Sequence, residues 1–317
     1  MLSRFITRMI SGEIFFRPGI VAAGIALIVT LVTGVFAEHQ NRTIYHQSDR
    51  AKVIEQLNAI RARLERNMIS NIQLVRGLVA VVASHPDIDQ LHFSRIASDL
   101  IGEHSQLRNI AGAPDLVVSL MYPIKDNEKA IGLDYSKNER QRETALRAVE
   151  SKQMVLAGPV DLLQGGQGII ARFPVFTDGA DGGKNVWGLV SAVIDVERLY
   201  ADSGLRIADL PIEIAIAGRD ATGADGAVFF GRPEVFGNDP VVLEVSLPNS
   251  SWRLAAIPRG GWSDASANIW LFRGYILLTG LLVIMPITIA GYLFDQRRHH
   301  IRELNGARVL CRSCRNG

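Results

Sequence analysis

The sequence predicts an α+β domain flanked by two transmembrane helices, and three observations carry that reading. Two long runs, 20–37 and 274–294, contain no charged side chain. About 230 residues of mixed globular sequence separate them. Within that segment a long helical period gives way to short β-rich runs divided by glycine turns, an order that favours antiparallel strands and helices over alternating βαβ units.

The first run follows Arg17-Pro18-Gly19. At the rise of an α-helix it reaches roughly 27 Å, the thickness of the hydrocarbon layer. The second run holds Pro286, which a lipid-embedded helix tolerates because its freed carbonyl finds other partners. With the flanking Trp270 included, the second span covers 269–294, and Trp262 and Trp270 are placed where aromatic rings favour the interface. Short basic flanks stay in the cytoplasm. Arg4, Arg8 and Arg17 put 1–19 inside, and Arg297, Arg298, Arg302, Arg308, Arg312 and Arg315 put 295–317 inside. The segment 38–268 is then exported, on the far side of the membrane from both ends. Val35-Phe36-Ala37 also fits a signal-peptide cleavage site, but the apolar stretch is longer than a signal core, and export follows either way.

The formal net charge of +2 is concentrated in the basic flanks and makes no case for nucleic acid. The only cysteines, Cys311 and Cys314, lie beyond the second span, so the exported segment has no disulfide and depends on its own core. The pair is half of a tetrahedral zinc site, or part of a reduced, unstructured tail.

From Thr43 to Val82 there is no proline and one glycine, and Ile54, Leu57, Leu64, Met68, Ile72, Val75, Val79 and Val82 define one helical face. The spacing predicts a stalk helix over 43–83, continuous with the first span and ending before Pro86. A second helix is expected over Asp89–Gly102 and a third within Ser136–Lys152. Leu116–Tyr122 reads as a central strand, followed by strands at Met154–Leu156, Gly168–Val175 and Val186–Val193. A smaller sheet is expected from Ile212–Ala217, Ala227–Phe230, Val241–Leu247 and Ser251–Ile257.

Asn109-Ile110-Ala111-Gly112-Ala113-Pro114-Asp115, Ile131-Gly132-Leu133-Asp134-Tyr135, Gly165-Gly166-Gln167-Gly168, Phe173-Pro174-Val175-Phe176 and Trp187-Gly188-Leu189-Val190 resemble the bacterial CHASE sensory domain, and the likeness extends over Pro248–Trp262. The resemblance implies a stalk helix carrying two PAS-like subdomains, here a distal one over 84–200 and a proximal one over 201–262. It also implies a small ligand in the distal one, dimeric receptors, and outputs such as diguanylate cyclases or histidine kinases. Plant members that bind cytokinin carry a threonine where Ala157 stands and an acid shortly before the proline matching Pro123, a place where Val118-Ser119-Leu120-Met121 holds none. The resemblance therefore implies no adenine-type ligand. Asp295 to Leu304 look like the start of a signalling helix, but too few residues follow for an output domain. A truncated receptor or an output partner protein is the expectation.

The polar and aromatic residues expected near a distal pocket are Tyr122, Asp134, Tyr135, Arg140, Gln164 and Arg172. Arg172 stands out because its strand is otherwise apolar, so its charge needs an anionic ligand or a partner. Ion pairing with Asp134, Asp161 or Glu150 and exposure on a polar strand face are the structural alternatives, and for Asp134 and Tyr135 the alternative is a role in shaping a loop. No nucleophile-elbow context surrounds Ser151, Ser191 or Ser203, and His46, His85, His92 and His104 show no metal-ligand spacing. No catalytic residue, metal or cofactor is therefore expected. The reading is a small-molecule sensor that pairs as a homodimer through the stalk, and cross-linking at Leu57 or Leu64 would tell self-pairs from mixed dimers. A ligand-free module pairing with another receptor is the alternative, and an exported hydrolase has little support.

Overall fold

The computed structural model describes residues 18–102, 105–162, 165–179, 182–223, 226–262 and 269–313. Arg4, Arg8, Arg17, His104, Gln164 and Cys314 lie outside the described residues. The chain divides into two compact units, one formed by Met1–Ser48 with Ser263–Gly317 and the other by Asp49–Trp262.

Two helices make the first unit. Helix α1 runs without interruption over Pro18–Ser84, and its residues after Ser48 belong to the second unit. The later helix, Ile269–Ser313, contains Pro286. Both are long and apolar enough to cross a membrane, and Leu31, Phe36, Leu281 and Phe294 are exposed along them, as side chains meant for lipid would be. They approach closely at small residues: a Cβ on Gly34 would lie 3.1 Å from Ile276 Cγ2, and one on Gly280 would lie 2.7 Å from Thr30 Cγ2. At one end of this contact Arg273 Nη2 donates to Glu38 Oε1 at 2.7 Å, and Arg42 donates to the same oxygen. The unstructured tail expected around Cys311 is not found, since the later helix continues to Ser313. Its Arg, Glu, Leu and Ala content favours a helix.

The second unit is built on the outer part of α1. Val53, Leu57, Ile60, Leu64, Met68, Ile72, Val75, Leu78 and Val82 are buried at steps of three and four and belong to one apolar cluster. Ile54, expected on this face, is 40% exposed, and Val53 takes its place. Leu57 and Leu64 are fully buried in this cluster, which removes them as contacts between stalk helices. The stripe serves the chain's own sheets.

The distal sheet is antiparallel in the order β2-β1-β5-β4-β3, with β1 at Leu107–Pro114, β2 at Leu120–Tyr122, β3 at Val155–Asp161, β4 at Gln167–Asp178 and β5 at Lys184–Asp195. Alternation sorts its side chains into two faces. Ile169, Ala171, Phe173, Val190, Ala192 and Ile194 join the stalk cluster, whereas Ile170 and Val193 form a separate cluster with Ala157. Helix α2 (Gln90–Leu100) is capped by Asp89, whose carboxylate accepts from His92 N at 2.7 Å, and helix α3 spans Arg142–Ser151.

The central strand expected at Leu116–Tyr122 is corrected by the structure. β1 pairs with β5 inside the sheet, and only Leu120–Tyr122 forms a strand, at its edge. Asp115 and Leu116 have positive φ angles of 50° and 66° and turn the chain, while Val118 N donates to Leu133 O outside the sheet. An apolar run alone does not distinguish a strand from a buried turn. Gln90 covers the edge, donating to Met121 O and accepting from Met121 N.

Helix α4 (Val196–Ser203) leads to the proximal sheet, ordered β7-β6-β9-β8, with β6 at Ile212–Ala217, β7 at Val228–Phe230, β8 at Val241–Leu247 and β9 at Ser250–Pro258. Both sheets are antiparallel and PAS-like on a shared stalk, as the resemblance implied. Trp262 hydrogen-bonds Asn238 O, and Arg50 lies over its ring, so this residue packs on the proximal sheet.

A buried polar relay ties the stalk to this frame. Asn71 donates to Gln106 Oε1 at 2.8 Å, and Gln106 donates to Asp202 Oδ2 at 2.6 Å. Asn71→Leu leaves a buried acceptor without its donor and is expected to cost about 1–3 kcal/mol in denaturant unfolding. Gly188, opposite Pro114 in the β1–β5 pairing, has φ of 144°, and a Cβ there would lie 2.0 Å from Ala113 O. Backbone strain and overlap together predict a loss of about 2–4 kcal/mol for Gly188→Ala, read from the unfolding midpoint.

Candidate functional site

The sheet face turned away from the stalk carries a cavity of about 620 Å³. Its floor is β3, β4 and β5, its side is the start of α3, and part of its rim comes from the proximal turn at Arg219, Asp220 and Thr222. That turn is anchored on the distal sheet, because Gly158 N donates to Asp220 Oδ1 at 2.7 Å.

Arg172 sits on the floor, 1% exposed. Strand register puts Ser191 directly beside it on β5 and Val155 on β3. Its Nε donates to Thr144 Oγ1 at 3.1 Å, its Nη2 to Gln141 Oε1 at 2.9 Å, and its Nη1 more weakly to Ser191 Oγ at 3.4 Å. The guanidinium carbon stands 4.6 Å from the centroid of the Tyr135 ring. Among the described residues no carboxylate pairs with it, which sets aside both structural alternatives, the ion pair and the exposed strand face. Loss of water pulls its pKa below the ordinary guanidinium value, with the Tyr135 hydroxyl opposing the shift. Arginine keeps its proton even so, and the result is a buried positive charge held only by neutral groups.

Of the residues expected at the pocket, Tyr135, Arg140 and Arg172 line this cavity. Arg140 is exposed at the mouth. Tyr122 packs instead with the stalk cluster, because β2 turns that side chain to the other face. Asp134 is occupied within its loop: Oδ1 accepts from the Ser136 hydroxyl at 2.6 Å and from Ser136 N, and Oδ2 pairs with Lys137 at 2.9 Å. These contacts, the Ser136 hydroxyl foremost, hold its pKa down to about 2. An NMR titration should find Asp134 ionised at pH 3. Because the folded pKa lies below the ordinary value near 4, its loop contact is complete above that value and is lost as the pH falls towards 2.

Four further lining residues escaped sequence reading: Gln141, Thr144, Ser191 and Asp220. Ser191 carried the clearest signal of them, since it is a hydroxyl at an alternating position in an apolar strand. Gln141 precedes α3 without capping it and gives its side-chain oxygen to Arg172 instead. Asp220 reaches the cavity only through the packing of one subdomain on the other. Ala157 and Met121 also line the wall. Among the described residues no cluster of three metal-ligating side chains occurs.

The CHASE domain family model matches residues 90–230, which include the cavity floor and the anchored turn. Over these residues the chain is similar to the CHASE domain family. Among curated proteins no sequence relative matches. Several solved structures are similar to the chain. The ligand-binding domain of the Pseudomonas aeruginosa amino acid chemoreceptor PctC, in complex with GABA, is 14% identical with a TM-score of 0.49, over 65% of this chain and 98% of that one. The ligand-binding domain of the Campylobacter jejuni chemoreceptor Tlp3, in complex with 4-methylisoleucine, is 13% identical with a TM-score of 0.44, over 68% and 92%. An extracellular ligand-binding receptor from Desulfohalobium retbaense is 18% identical with a TM-score of 0.45, over 65% of this chain and only 38% of that one.

Proposed function

We propose that this CHASE chain is an inner-membrane sensor whose periplasmic domain binds a small molecule in the Arg172 cavity and passes the binding event to its two membrane helices. The observation that carries the reading is the buried guanidinium at the floor of an open cavity, hydrogen-bonded but without a counter-charge among the described residues. Burying such a charge is unfavourable unless something else compensates it, and a ligand can. The basic flanks support the orientation with both ends in the cytoplasm. Signal transfer requires only that the ligand favour one of two arrangements, and coupling of about 1–3 kcal/mol is typical.

The turn at Arg219–Thr222 gives that transfer a physical route, because it touches the cavity while belonging to the proximal sheet. Asp220→Ala removes its anchor on Gly158. The expected outcome is ligand affinity changed by no more than about 10-fold together with loss of ligand-dependent protease protection in the proximal sheet. Protection that persists unchanged removes the turn from the route.

The reading itself is tested by calorimetric and thermal-shift screening of the whole chain in lipid nanodiscs against a broad metabolite library. Saturable stabilisation by at least one compound is expected, and a library with no binder overturns the sensor. A homodimer forming through the stalk would use the exposed side chains Ile54, Ile69 and Leu74. A cysteine at Ile69 should then give cross-linked homodimers in membranes, whereas mixed species with another receptor favour the interaction-module alternative.

A further inference from the structure

We infer that the ligand is a small organic monocarboxylate with a compact apolar body, its carboxylate seated on Arg172. The inference deepens the sensor reading and rests on it.

Charge comes first. Among the described residues, the buried part of the lining includes one cation, Arg172, and no carboxylate. Glu139, Glu143 and Asp161 are exposed, and Asp220 is half-buried and engaged with Gly158. Arg140, Arg147 and Arg219 stand among them, so the mouth is nearly balanced while its floor carries a single positive charge. One deep cation calls for one negative charge on the part of the ligand that reaches it. A ligand ammonium group at that depth would be repelled, and a second ligand carboxylate would find no second buried cation.

Hydrogen bonding comes next. A guanidinium has five N–H groups. Arg172 directs one each to Thr144, Gln141 and Ser191, the last at a long 3.4 Å, and the Tyr135 hydroxyl is a further acceptor beside it. One donor and the weakly held one on Ser191 therefore remain on the terminal nitrogens, the ones that meet carboxylates in bidentate pairs. Thr144, Gln141 and the Tyr135 ring hold the guanidinium plane in place, so little orientation has to be lost on binding.

Shape and polarity complete the argument. Of the buried lining residues, Ala111, Met121, Ala157, Ile170 and Val193 are apolar, while Asn109, Tyr135 and Ser191 are polar, and Asn109 is already bonded to Asn127 and Ser191 to Arg172. The apolar share suits a compact hydrocarbon body. A phosphate would need more donors than one partly occupied guanidinium provides.

The test uses the full chain in nanodiscs and isothermal calorimetry. Probes are hexanoate, benzoate and phenylacetate, their primary amides, the matching amines, succinate and inorganic phosphate. At least one monocarboxylate should bind saturably, with its amide at least 30-fold weaker. Arg172→Lys should weaken the carboxylate about 10-fold or more while narrowing the gap to the amide, since a lysine keeps the charge but not the fork. An unchanged unfolding midpoint shows that this variant is folded; if it is not, Gln141→Ala, which leaves the charge and frees the fork, should shift carboxylate affinity several-fold. Preference for an amide, an amine, succinate or phosphate, or a carboxylate indifferent to both variants, overturns the ligand class while leaving a sensor. A chain that binds no panel member and nothing in the wider library overturns the sensor reading as well.

Discussion

Leu64→Ala is expected to lower the unfolding free energy by about 3–5 kcal/mol. Leu64 is fully buried and shares one apolar cluster with strands of both sheets, including Ile169 and Ile194 of the distal one and Ile214 and Leu254 of the proximal one. A cavity there cannot be closed by moving one subdomain, because the other also packs against the same helix face. Ile69→Ala is the control: this neighbour is 40% exposed, and its truncation should cost less than about 1 kcal/mol. Denaturant unfolding of both variants measures the contrast. Equal losses would mean that the stalk does not carry the shared core.

Arg172→Met should leave the unliganded protein as stable as before, or more stable by about 1–2 kcal/mol, while weakening carboxylate binding by about 100-fold or more. The sign follows from burial. The guanidinium loses hydration and recovers only neutral hydrogen bonds, so an unbranched apolar side chain of similar length removes an unfavourable charge and keeps the packing against Tyr135. A residue kept for structure would behave in the opposite way, since Thr144, Gln141 and Ser191 would lose a donor and stability would fall. A thermal melt without ligand, followed by titration with the strongest carboxylate, separates the two cases. A clear drop in melting temperature with affinity retained assigns Arg172 to the fold. Stability gained by removing a binding residue is the usual trade between function and folding.

Elements governed by local pattern are legible in the chain's own periodicity. The stalk can be read because apolar residues recur at helical spacing over many turns, and β6, β8 and β9 because alternation and glycine turns bound them. The edge and centre of the distal sheet cannot. Leu116–Ser119 has the composition of a strand, yet Asp115 and Leu116 turn the chain, and Leu107–Pro114, with its alanine, glycine and asparagine, becomes the inner strand. Strand position depends on which partner is available on each side, and for β1 that partner is the distant β5. The site divides in the same way. Arg172 is visible because a charge interrupts an apolar strand, but the choice among ligand, ion pair and exposure requires knowing what surrounds it.

By itself the sequence determined the layout: two uncharged runs long enough to span lipid, basic flanks around them, and a stalk whose spacing allows only a helix. These are properties of short windows, set by hydration and by backbone geometry. Only the tertiary structure decided that the apolar stripe of the stalk serves the chain's own two sheets, that Tyr122 and Asp134 fall away from the cavity, and that Arg172 is buried beside Gln141 and Thr144 with no carboxylate partner among the described residues. Those outcomes depend on long-range register and on the packing of one subdomain against the other, where a one-residue shift along a strand exchanges the buried face for its opposite.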